Sequence, residues 1–509
     1  MSSPVGSTRA MEPLFLALPL RTLADAALGA ATAAGASFAD FRMERLVTGS
    51  LSVRDTAVES AAEATTVGYA VRVIVEGTWG FASAVEPTPD AAAATARRAV
   101  EVARSLSSVV AERVERADEP VHRDATWISA YDIDPFDVPA ADRIGLLLDR
   151  SERLLAADGV AHTSASILQV KENKFYADTA GTTTTQQRIR LEPKITATAV
   201  DSAVGSFETM DSIAPPVGRG WEYLTGDLWD WDDEISRMPD YLAEKIKAPS
   251  VVAGRYDLVI HPSNLWLTIH ESIGHATEYD RAIGYEAAYA GTSFATPDKL
   301  GSLQYGSPVM QVTGDRNVDH GLASIGYDDD GVAGQRWDLI SDGVLVGYQL
   351  DRVFARRLGL ERSNGCAHAD SPGHIPIQRM ANVSLQPDPA GGSTDDLIAG
   401  VEDGIYVVGD KSWSIDMQRY NFQFTGQRFY RIADGKLTGQ LRDVAYQATT
   451  TDFWGSMDTV GGPETYVLGG AFNCGKGQPG QVAAVSHGCP SARFRGVSVL
   501  NAVQEGGAA

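Results

Sequence analysis

The segment His270-Glu271-Ser272-Ile273-Gly274-His275 constrains the fold more than any other, because it sets two histidines five residues apart inside an apolar stretch. Leu265, Ile269 and Ile273 recur every fourth residue with Trp266 alongside, the stripe of a helix with one buried face, and Ser263 reads as its N-cap. On a regular α-helix, five steps of about 100° leave the two imidazoles about 140° apart, too divergent to meet. The segment therefore predicts a helix over 263–276 that bulges between the histidines. A single π turn, with its i to i+5 hydrogen bond, returns both rings to one face, and Gly274 lowers the resistance to that distortion.

Converging imidazoles with a carboxylate between them suggest a metal site, against the plainer reading of two histidines used for capping or hydrogen bonding. Neutral imidazole nitrogen is a standard zinc ligand, and Glu271 stands where it can take a proton from water. Zinc needs a third protein ligand, and a thiolate is a strong one. Three cysteines, an odd number in 509 residues, are no disulfide framework and point to a reducing, cytoplasmic compartment. All three compete for the metal. Cys474 lies in the glycine-rich stretch 469–478, read as a flexible loop in which Lys476 favours the thiolate, while Cys366 and Cys489 are read in loops beside His368 and His487.

A chain of 509 residues exceeds what one hydrophobic core supports, so at least two domains are expected. Lys and Arg total 43 against 66 Asp and Glu, and a net charge of -23 offers no footprint for a phosphate backbone, which argues against nucleic acid. No run of 18 apolar residues occurs, so no membrane span is expected, and the stretch 14–20, preceded by Glu12 and Pro13, reads as the lead-in to a first helix. The fold class is α+β. An N-terminal domain over 1–215 combines helices at 20–35, 90–107 and 142–157 with strands at 38–53 and 67–75 and a long antiparallel hairpin over 164–200, one face of it exposed. A linker and an acidic helix fill 216–250 after the proline- and glycine-rich stretch 214–220. Residues 251–509 form a β-rich domain that carries the distorted helix and short strands separated by Gly, Asp and Asn. Asp328, Asp329 and Asp330 beside Gly331 read as a turn, since they lack the alternating ligands of a calcium loop. His261, next to Pro262, reads as a capping or core residue.

Taken together, these segments resemble the TldD/PmbA family of metallopeptidases, in its TldD branch. The residues that carry the resemblance are the opening helix at 23–28 leading to Ala39-Asp40-Phe41-Arg42, the motif from His270 to His275 continuing into Glu278 and Asp280, and Tyr327 to Gly331. Others are 376–382 around Arg379-Met380, Val401 to Tyr406, and Cys474-Gly475-Lys476. The resemblance implies that His270, His275 and Cys474 hold Zn2+, that Glu271 is the catalytic base, and that short or unfolded peptides are cut with little sequence preference, in peptide maturation or protein turnover. It also implies a dimer, either with a TldE/PmbA-like subunit or with a second copy. Glu278 and Asp280 are placed to accept the free ring N–H of a ligating histidine, and His374 and Arg379 to contact substrate or a developing oxyanion. The rival reading is a peptide-binding or assembly subunit with a structural metal and no catalysis, which a closed four-ligand sphere would favour.

Overall fold

The computed structural model describes residues 9–201 and 206–503. In the N-terminal half, helix α1 (Leu20–Ala33) leads into strands β1 (Phe38–Arg54), β2 (Ala57–Val75) and β3 (Thr78–Ala84), then α2 (Pro89–Leu106), β4 (Ala125–Ile128), α3 (Ala140–Leu155), β5 (His162–Asp178), β6 (Thr183–Asp201) and β7 (Ser206–Asp211). The seven strands form one sheet in the order β3-β2-β1-β5-β6-β4, with β7 also on β6; every pairing is antiparallel except β4 on β6. Pro89 at the start of α2 and the Thr88 hydroxyl on the Ala91 N–H fix that helix start.

Alternation along the strands decides which face goes where, because successive side chains point to opposite sides. The odd-numbered Phe41, Met43, Phe175 and Ala177 pack under α1 and α2. Ile167, Leu191, Ile195 and Ala197 pack under α3 and under the acidic helix α4 (Trp231–Lys247), through Leu147, Leu154, Trp231, Ile235 and Leu242. The opposite, even-numbered face carries Asp40, Arg42, Glu44, Glu172, Lys174, Arg188 and Arg190, all buried.

This is a correction to the expectation of a hairpin exposed on one face. The polar face of β5 and β6 is covered by the C-terminal half. Lys174 pairs with Asp329 and Glu44 at 2.9 Å each, and Arg72 bridges Asp40 and Asp330. The run 328–330 is a turn, as its residues suggest, but a buried one whose carboxylates meet the basic residues of the sheet. Leu46, Leu168 and Val170 complete the contact against Leu322, Phe472 and Ala484.

In the C-terminal half, β8 (Gly254–Ile260) runs into helix α5 (Pro262–Ile269). Among the later strands are β9 (Asp403–Ile415), β10 (Asn421–Ala433), β11 (Lys436–Leu441), β12 (Val444–Thr449), β13 (Val467–Lys476), β14 (Gln481–Cys489) and β15 (Ala492–Asn501). Pairing runs β9-β8-β15-β12-β10 and returns from β10 to β9, so the sheet closes on itself, with β11 on the far side of β10. Strands β13 and β14 form a separate two-stranded hairpin. Helix α5 buries Leu265, Leu267 and Ile269 in the core shared with Phe422, Phe424, Tyr446 and Phe453. The cap of α5 is His261 and not Ser263: Pro262 forces the preceding residue into extended backbone, so the helix begins there and the His261 Nδ1 accepts the Ser263 N–H.

Candidate metal centre

Helix α5 changes hydrogen-bonding pattern at its end. Residues His270–Gly274 form a π turn, and the His275 N–H donates to the His270 carbonyl at 3.0 Å, the i to i+5 bond that the spacing requires. Side chains take up carbonyls in the distorted turn: the Tyr305 hydroxyl donates to Ser272 O, and Gln349 Nε2 donates to Gly274 O at 2.7 Å. Gly274 has a second reason to be glycine, since a Cβ there would lie 2.6 Å from the Met380 sulfur. The result is that the rings of His270 and His275 stand 4.7 Å apart between centroids.

Cys474 arrives from β13, which corrects the reading of 469–478 as a flexible loop. Gly469, Gly470 and Gly475 belong to a paired strand, and at Gly469 the indole of Trp266 lies so close that a Cβ would sit 2.7 Å from it. A bulge between Ala471 and Cys474 breaks the strand's register just before the thiol. One ligand atom each from His270, His275 and Cys474 lies within 4.8 Å of the others, and His275 Nε2 is 3.5 Å from Cys474 Sγ. Two zinc ligands at about 2.0–2.3 Å in tetrahedral array stand about 3.5 Å apart, so the spacing suits that ion. Cys366 and Cys489 lie elsewhere in the core, where burial pushes the Cys366 thiol up to about 11 and the Cys489 thiol higher still.

The hydrogen bonds around the two histidines set which nitrogen is free. His487 Nδ1 donates to the Val383 carbonyl at 2.8 Å, so its Nε2 is an acceptor and takes the proton of His270 Nδ1 at 2.7 Å; the lone pair of His270 is then left on Nε2. His275 Nδ1 donates to Glu278 at 2.8 Å, leaving its own Nε2 bare toward the thiol. Burial pushes His270 down to about 4 and lowers His275, keeping both rings neutral. Burial opposes ionisation of Cys474, but the Arg379 charge and His275 overcome it and hold the thiol below its ordinary value. Two neutral imidazoles and a thiol inclined to ionise are a donor set that fits zinc.

Among the remaining expected residues, Glu278 touches a candidate ligand and Asp280 does not. Asp280 accepts from Lys476 Nζ at 2.7 Å, and the same buried ammonium donates to Glu278 at 3.1 Å. Burial works against a charged Glu278, yet Lys476 and His275 hold it well below the usual carboxylate range. Lys476 thus acts on Glu278 and Asp280 rather than on the thiol. Arg379 is fully buried behind the strand, donating to the Cys474 carbonyl at 2.7 Å. His374 pairs with Asp370 at 2.6 Å, and its carbonyl accepts from Arg42. Two residues that the sequence did not single out join the site, His487 under His270 and Arg419, whose guanidinium pairs with Glu271. A groove of about 280 Å³ bordered by Trp266, Asp410, Trp413, Phe472 and Asn473 runs along β13, whose outer edge takes no strand partner among the described residues.

Glu278→Gln should keep the fold but weaken zinc binding about 10- to 100-fold, the effect of losing the carboxylate that orients a ligating imidazole. Competition against a chromophoric chelator measures it; unchanged affinity would remove Glu278 from the site.

Residues 253–501 match the family described as PmbA/TldA metallopeptidase C-terminal domain, and residues 39–103 match PmbA/TldA metallopeptidase domain 1. A protein of Methanothermobacter thermautotrophicus named metalloprotease is 28% identical over 464 residues, covering 91% of this chain and 95% of that protein. A protein of Saccharolobus solfataricus named zinc metalloprotease TldD homolog is 22% identical over 476 residues, with 91% and 97% covered. The crystal structure of TldE from Thermococcus kodakarensis superposes with a TM-score of 0.67 at 15% identity, over 93% of this chain and 98% of that one, a likeness of fold.

Proposed function

The chain belongs to the TldD/PmbA family of metallopeptidases, and we propose that it is a zinc-dependent hydrolase of peptide bonds in short or unfolded peptides, with His270, His275 and Cys474 holding the metal and Glu271 acting as the base. The observation that carries this reading is the convergence of three donors, their lone pairs aimed together by Glu278 and His487, beside a carboxylate that holds no metal. Zinc, when bound, supplies a Lewis acid that polarises a carbonyl and makes water easier to deprotonate. Glu271 takes the proton of the attacking water and passes it to the departing amine. His270 and His275 remain neutral ligands throughout, since their other ring nitrogens already donate to His487 and Glu278.

The free edge of β13 supports a substrate held in extended form: main-chain hydrogen bonds along Gly469 to Asn473 would serve many sequences alike and deliver the chain beside Cys474. His487 is the nearest further imidazole, but both its nitrogens are engaged, which supports three protein ligands and an open fourth position over a closed structural site. Three free thiols fit a reducing, cytoplasmic setting, and no helix among the described residues is long and apolar enough to cross a membrane. The protein works as a dimer, with a TldE/PmbA-like subunit or with its own copy. Turnover of an unstructured peptide by the zinc-loaded protein, alone and with such a subunit, tests the reading. No turnover in either state would leave a peptide-binding subunit in its place.

A further inference from the structure

Arg419 occupies the turn between β9 and β10 in the left-handed backbone region, with φ of 63°, a conformation that persists in a non-glycine residue only where its surroundings impose it. They do: the Asp416 carboxylate accepts the N–H groups of Gln418, Tyr420 and Asn421, and the Thr450 hydroxyl donates to the Arg419 carbonyl at 2.8 Å. The side chain is driven inward to 14% exposure, where Nη1 pairs with Glu271 Oε2 and the buried Nε finds no partner among the described residues. A guanidinium carries five donors and cannot give up its proton, so it stabilises negative charge without competing as an acid. If its whole purpose were to hold Glu271, its other donors would be left unused. Those donors lie next to the carboxylate that handles the proton, and so next to the carbon that water attacks.

We propose that Arg419 is a catalytic residue that donates to the scissile carbonyl oxygen as that oxygen becomes negative, an inference that rests on the peptidase reading above. Water oxygen bonds to the carbonyl carbon, its proton passes to Glu271, and the C=O electron pair moves onto the oxygen facing Arg419. The pair returns as the C–N bond breaks, and the nitrogen leaves with the proton from Glu271. Arg419 thereby gives up part of its ion pair just as Glu271 becomes protonated and no longer needs it.

The test uses a phosphinic peptide, whose tetrahedral anionic phosphorus stands for the attacked carbon, and the same peptide with an ordinary amide. Binding of each is measured by calorimetry to zinc-loaded Glu271→Gln protein, with and without Arg419→Gln. In that background Arg419 has no charged Glu271 to hold. Arg419→Gln is expected to weaken the phosphinate about 10²- to 10³-fold, the scale of one lost oxyanion donor, and the amide peptide by no more than a few-fold. Equal loss for both ligands, or no loss for either, would overturn the proposal. With Glu271 intact, kcat should fall by a similar factor in Arg419→Gln and by less in Arg419→Lys, with KM little changed. An unchanged kcat in either variant at matched zinc content overturns the proposal too, and the Lys variant carries the comparison if the Gln variant does not fold. Inactivity of the wild type would instead strike the peptidase reading, and the phosphinate measurements do not depend on turnover.

Discussion

Cys474→Ala is expected to lower the zinc content from about one ion per chain to near zero while leaving the fold in place. The thiol is one of the three donors that converge among the described residues, and two neutral imidazoles alone make a weak site. The fold should persist because β13 is held by its ladder to β14 and by Arg379 on the Cys474 carbonyl, neither of which needs the sulfur. His270→Ala and His275→Ala should do the same. Cys366→Ala and Cys489→Ala should keep full zinc, since both thiols are held un-ionised by burial away from the histidines. Elemental analysis of purified variants decides it: full zinc in Cys474→Ala with loss in either of the other two would assign the third ligand wrongly.

Glu271→Gln should lower peptide cleavage by about 10²- to 10⁴-fold at unchanged zinc content, the range for a lost general base. Glutamine keeps the size of the side chain and can still accept a hydrogen bond from Arg419, but it cannot take a proton at neutral pH. Peptide affinity should survive, because the groove along β13 is untouched. The comparison is made both with and without the TldE/PmbA-like subunit proposed above, so that a missing partner is not mistaken for a missing base. Turnover by the Gln variant equal to that of wild type would reject Glu271 in that role.

The π turn was legible because it follows from geometry: two rings five residues apart on an apolar-striped helix meet only if the turn between them takes in one extra residue. The choice among three thiols was only partly legible from residue types, which favoured Cys474 for its glycine-rich stretch and Lys476 without excluding the other two, and the resemblance around Cys474-Gly475-Lys476 strengthened that choice. Glycines at 469, 470 and 475 suggested a loop, whereas in the fold all three lie in a paired strand, and those at 469 and 470 clear space for the Trp266 indole and the neighbouring strand. His487, named only as the neighbour of Cys489, and Arg419 were not assigned to the site because their partners, His270 and Glu271, lie 217 and 148 residues away, a distance that no local pattern spans. The α+β architecture and the β-rich C-terminal half followed from strand alternation and helix periodicity. The buried polar face of β5 and β6 did not, since alternating charge reads as solvent exposure until the acidic turn at 328–330 is brought against it.

X-ray absorption at the zinc edge on the purified protein tests the ligand set most directly. The expected first shell is two imidazole nitrogens at about 2.0–2.1 Å, one sulfur at about 2.3 Å and one exchangeable oxygen, with the sulfur lost in Cys474→Ala. A shell without sulfur, or one closed by four protein ligands, would contradict it.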